Sequence, residues 1–158
     1  MNTATETPIY EVKNVKTFTG REGHGWSCSL YANGKRLGDV TDTASGGPVN
    51  FYIEKGELVL LGMHCALLPK RPWGFEGDDL DPEGCKVDPD IFVSDLVGDF
   101  IENKDMKRKC KTRTVFTLKD GDPKDIWLMK SIFSERVKKH LQDKHGDNLK
   151  EIINERFV

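Results

Sequence analysis

The chain has no long apolar run, no paired cysteines and no nucleotide- or metal-binding signature, and each gap excludes a class of protein. Its longest apolar stretch, Leu58 to Leu68, falls far short of the roughly 20 residues that a membrane-spanning helix needs. The polar start MNTATETP has no signal-peptide anatomy. A membrane role is therefore not expected, and the expected location is the cytoplasm. Cys28, Cys65, Cys85 and Cys110 stand far apart with no CxxC pair, so reduced thiols are expected rather than a disulfide framework or a zinc site. Cys28 and Cys65 sit in apolar patterns that suit small core residues. His64 beside Cys65 makes no metal pair, because adjacent residues on a helix or strand point in different directions.

Catalytic signatures are missing too. No serine lies in GxSxG, and His24, His64, His140 and His145 are scattered, the last two among exposed charges. A triad of Cys65, His24 and Asp42 can be drawn, but any chain of this length allows one. No catalytic residue is assigned, and no enzyme activity, metal or cofactor is expected. Gly20-Arg-Glu-Gly-His-Gly25 shares only its glycines with phosphate-cradling loops, since it precedes a strand instead of opening a helix. Asp79-x-Asp81-x-Glu83-Gly84, with Asp90 further on, echoes a calcium loop. Glu at its fifth position, Asp in place of the final Glu, and the intruding Pro82 and Pro89 argue against calcium.

What is present suits one globular domain: 158 residues, 37% hydrophobic and 32% charged. Tyr10 and Val12 alternate with charged residues over Ile9 to Phe18, as a half-buried strand requires. Trp26, Cys28 and Leu30 alternate with smaller or polar residues over Trp26 to Tyr31 and give a second strand. Asn33-Gly34 supplies the two positive-φ residues of a type I′ turn, so Lys35 to Thr41 folds back as a third, with Gly38 marking a bulge. Gly46-Gly47-Pro48 breaks the chain before a fourth, Val49 to Ile53.

Apolar residues at 58, 61, 65 and 68 keep helical spacing, and Pro69 ends that helix; a buried strand is the alternative. Pro69 to Pro89 reads as an acidic loop. Asp88 is an N-cap and Pro89 a first helical residue, for a helix running to about Asn103. Thr112 to Leu118 and Asp125 to Lys130 form a second hairpin. Ser134 caps a helix that stops at His145-Gly146, and a final helix after Asp147 carries the stripe Leu149, Ile152, Ile153 and Phe157. The expected fold is α+β: one domain with an antiparallel sheet of four to six strands and helices packed on one face. Its parts are a β-rich region, 8–53, the acidic loop, 69–89, and a C-terminal hairpin with helices, 111–157.

Charge is uneven although the net is only −2. Residues 1–74 hold 8 basic and 7 acidic side chains, residues 75–102 hold 1 and 10, and residues 103–158 hold 15 and 9. The acidic middle and basic last third are either an internal electrostatic pair or two partner surfaces. Candidate partner-binding residues are Arg21, His24, Trp26, Asp42 and Ser45 on the glycine-rich loops. Trp73, Asp78, Asp79, Asp81 and Glu83 of the acidic loop join them. Six basic residues, Lys104, Lys107, Arg108, Lys109, Lys111 and Arg113, could instead neutralise phosphates of a nucleic acid. A charge run between a helix and a strand is more often a solvated face, and cations there also favour a helix end.

GREGHGWSCSLYANGKRLGDVTDTASGGP and the C-terminal SERVKKHLQDKHGDNLKEIINERF together resemble small uncharacterised proteins of tailed phages and prophages. The resemblance implies no enzyme. It implies a setting in which small cytosolic proteins bind host machinery, antagonists of bacterial defence systems among them. The acidic loop does not match that pattern. The expectation is a non-enzymatic accessory protein that binds a host protein or complex in the host cytoplasm, including inhibition of a defence complex. The alternatives are nucleic-acid binding by 104–113, and a small-molecule site lined by Arg21, His24 or Asp42.

Overall fold

The structure, a computed structural model, describes residues 7–73 and 81–158. The α+β class is the one expected. The chain forms two compact units, residues 1–100 and 101–158.

The first unit is built on an antiparallel sheet of β1 (Tyr10–Gly20), β2 (Gly23–Ala32), β3 (Lys35–Asp42) and β4 (Asn50–Tyr52), ordered as in the chain. Asn33 and Gly34 have φ of 50° and 82°, the left-handed pair that lets β2 turn tightly into β3. Leu30 faces Gly38 while Tyr31 faces Arg36, so Leu37 is the extra residue of a bulge. Gly38 is required there: its φ is 152°, and a Cβ would run into the Tyr52 carbonyl oxygen. A second bulge lies between Lys13 and Lys16, where Asn14 takes a φ of 54°.

Period-2 alternation puts Tyr10, Val12, Cys28, Leu30 and Val40 into one core with Leu61 and Cys65 of α1 (Lys55–Ala66) and Val93 and Val97 of α2 (Pro89–Cys110). Leu30, Val40, Leu61 and Val93 are fully buried, each stabilising the fold by about 1.5–3 kcal/mol relative to exposure. Tyr10, His64 and Phe92 form a ring cluster with centroids 5.1–5.7 Å apart. The expected Asp88 cap is present, its Oδ1 accepting the Ile91 N–H at 2.9 Å.

Two expectations in this part of the chain need correction. The stretch 69–89 is not all loop, because β5 (Arg71–Trp73) and β6 (Asp81–Cys85) pair as an antiparallel ribbon. Strand pairing satisfies backbone groups whatever the side chains, so a Pro- and Asp-rich composition hides it. The helix α2 continues past Asn103 to Cys110 and takes in most of the basic run. Asp105 pairs with Arg108 at 2.6 Å and Lys109 at 2.9 Å, and cations in the last turn suit the negative end of the helix dipole.

In the second unit β7 (Thr114–Leu118) lies between β8 (Trp127–Met129) and β9 (Leu149–Ile152) in an antiparallel sheet. Helix α3 (Glu135–His145) is capped by Ser134, whose Oγ accepts the Val137 N–H, and ends at Gly146 with φ 52°. Leu141 of α3 packs with Phe116 and Ile152 in the core. The expected final helix is replaced by β9 and a 3₁₀ turn, Ile153–Phe157. Leu149 and Ile152 find partners along the open edge of β7, and this outweighs their helical spacing. His145 is half-buried, its ring 5.4 Å from Phe116, and not simply exposed.

Buried Asn154 organises this unit. Its Oδ1 accepts the Val115 N–H at 2.7 Å, and its Nδ2 donates to the carbonyls of Arg113 at 2.8 Å and Cys110 at 3.2 Å. One amide thus satisfies three backbone groups where α2 gives way to β7.

Candidate binding surfaces

The turn between β1 and β2 and the loop between β3 and β4 emerge at the same end of the first sheet, as a four-stranded meander dictates. They meet: the Glu22 N–H donates to the Ala44 carbonyl at 2.7 Å. Gly20 packs so close that a Cβ would lie 2.5 Å from the Ala44 Cβ and 2.6 Å from the Thr43 carbonyl oxygen. Within the second loop the Asp42 carboxylate accepts the Ala44 N–H at 2.9 Å, and the Thr43 and Ser45 hydroxyls are 2.7 Å apart.

The structure therefore brings the two glycine-rich loops into one rim and sorts their residues. Arg21, His24 and Ser45 are exposed on it. Asp42 is half-buried and holds the turn, and Trp26, paired with Asp42 across the strands, packs against the core. Asp78 and Asp79, and the side chains of Trp73, Asp81 and Glu83, lie outside the described residues.

The triad does not assemble. Cys65 follows His64, which stacks on Tyr10 at one end of the sheet, whereas His24 pairs with Thr19 at the other. Nine residues of strand separate the two ends, roughly 30 Å at the usual rise. Burial also pushes the Cys65 thiol up, with the Asp88 charge adding to it, and this disfavours the nucleophilic thiolate. Burial and then Asp39 push Cys28 up to about 11. Among the described residues, no three His, Cys, Asp or Glu side chains are grouped to hold a metal ion, and no helix is long and apolar enough to cross a membrane.

Of the basic run, Lys104, Lys107, Arg108 and Lys109 belong to α2, and Lys111 and Arg113 to the turn that follows. Lys104, Lys107 and Lys111 are exposed and line one concave surface with Ile101, Asp105 and Arg108.

A further surface went unrecognised in the sequence. Helix α1 is apolar on two sides: Leu61 and Cys65 enter the core, while Val59, Leu60 and Met63 at the outer side, and Leu67 at the C-cap, are 62%, 54%, 61% and 86% exposed. The signal was available, because Leu58-Val-Leu-Leu61 followed by Met63 puts apolar residues all round a helix, more than a single core face can cover.

Comparison of the chain with protein-family models, with curated proteins and with solved structures gives no match.

Proposed function

We propose that the protein is a non-enzymatic accessory protein of phage type that binds a host protein. The single observation carrying this reading is the outer face and C-cap of α1, where four large apolar side chains stand in solvent. Contiguous apolar surface of this kind is costly to expose and serves most often as a protein contact. The rim of Arg21, His24 and Ser45, at the other end of the sheet from His64 of α1, offers a separate polar contact. Inhibition of a bacterial defence complex is the consequence that the phage resemblance suggests.

The test is affinity capture from a bacterial lysate with the immobilised full chain, run beside the double variant Leu60→Glu/Met63→Glu. The expected result is a protein enriched by the native chain and lost with the variant. Enrichment of no protein, or equal enrichment by both chains, would overturn the reading.

A further inference from the structure

The second unit carries a different kind of surface, independent of α1 and the rim. A hollow of about 300 Å³ opens between the end of α2 and the C-terminal 3₁₀ turn. Its apolar wall is Ile132, Phe133, Phe157 and Val158, with Ile132 68% exposed. Lys107 and Lys111 stand at this hollow and are shared with a neighbouring shallow concavity of about 470 Å³ that Lys104 and Arg108 also line. Asp105 is the one acidic side chain there, and it is already paired with Arg108 and Lys109. Lys104, Lys107 and Lys111 have no acidic partner among the described residues.

We propose that this double concavity is a docking site for an acidic peptide segment of a partner protein. One bulky apolar side chain of the segment enters the 300 Å³ hollow, and its flanking carboxylates meet Lys104, Lys107 and Lys111. An apolar anchor beside charges of one sign demands both features in a single ligand. The hollow also separates a peptide from a nucleic acid. Its one side-chain amide, Asn154, is engaged with Val115, Arg113 and Cys110, so no amide is left to read the edge of a base. A base placed against Ile132, Phe133, Phe157 and Val158 would lose hydration that these side chains cannot replace, whereas an aliphatic or aromatic side chain has little to lose.

Fluorescence anisotropy with the full chain tests this. The probes are a fluorescein-labelled peptide of Glu and Asp with one central Phe, the same peptide with Ala in place of Phe, and a labelled single-stranded oligothymidylate. The Phe peptide should bind at least tenfold more tightly than the Ala peptide. Ile132→Asp and Lys107→Glu/Lys111→Glu should each weaken it at least tenfold, with thermal melts confirming that both variants fold. The comparison of the two peptides on the native chain needs no variant and stands whatever the variants do. No binding of the Phe peptide at low salt, equal binding of both peptides, or tighter binding of the oligothymidylate would overturn the proposal, the last in favour of nucleic acid.

Discussion

The Glu22 N–H and the Ala44 carbonyl, 2.7 Å apart, tie together two loops that are 22 residues apart in the chain. Gly20 makes the bond possible by letting the backbone of residues 43 and 44 come within contact distance. Gly20→Ala should therefore force the loops apart. A loss of about 1–3 kcal/mol is expected, as for other overpacked sites. Urea unfolding measures it, and faster hydrogen exchange at the Glu22 amide would locate the change in the rim.

Asn154→Leu keeps the branched shape of the side chain and removes its polar atoms. The Val115 N–H then stays buried without this partner, and the part-buried carbonyls of Cys110 and Arg113 lose it as well. A buried polar group left unpaired costs about 1–3 kcal/mol, so the variant should be among the most destabilised single substitutions in the second unit. Denaturant melts followed by circular dichroism check this.

Helix α1 should respond oppositely on its two sides. Leu61→Ala removes a fully buried side chain and is expected to cost about 2–5 kcal/mol. Leu60→Glu/Met63→Glu changes exposed positions and should shift stability by no more than about 0.5 kcal/mol per site. Equal losses in thermal melts would mean that the outer side is not exposed.

Arg156 grips Glu151 through two hydrogen bonds of 2.6 and 2.7 Å, and this holds the Glu151 carboxyl below the usual carboxylate range. A carboxyl with a folded-state pKa below its unfolded value binds protons more readily when unfolded. Its stabilising effect is complete above the ordinary glutamate value of roughly 4.3 and is lost as pH falls through the lowered folded value. The pair is partly exposed, so the effect should be small and weakened by salt. Melting temperatures of native protein and Glu151→Gln should differ at pH 7 and converge in acid.

The four thiols should separate by reactivity. Cys28, pushed up to about 11, and Cys65, pushed up by burial, are both buried. At pH 8 a disulfide reagent should reach them only on unfolding. Cys85 and Cys110 are half-buried, and they should react first. Rapid labelling of all four in the folded protein would contradict the packing of α1 on the sheet.

Local patterns were most legible where one physical rule acted alone. Alternation from Tyr10 to Val40 placed the core face of the first sheet, because a strand's side chains can only alternate. Asn33-Gly34, Asp88-Pro89 and Ser134 fixed their turn and caps, since each supplies a conformation or an acceptor that the backbone needs at that point. Where two rules competed, the sequence misled. Leu149 to Phe157 has helical spacing, yet it forms β9 and a 3₁₀ turn because β7 offers it an edge. The outer side of α1 was visible as surplus apolar residues, Val59, Leu60 and Met63, beyond the spacing 58, 61, 65 and 68 that marks one helix face.

The sequence by itself determined the α+β class, the hairpin turns, the principal helix starts and the uneven charge, all of which depend on residues close together in the chain. Only the tertiary structure decided that the two glycine-rich loops form one rim, that Asp42 holds a turn while Arg21 and His24 stay exposed, and that Lys107 and Lys111 stand over an apolar hollow. Those outcomes depend on strand order and on contacts between distant residues such as Asn154 and Val115. Local propensity carries no record of either.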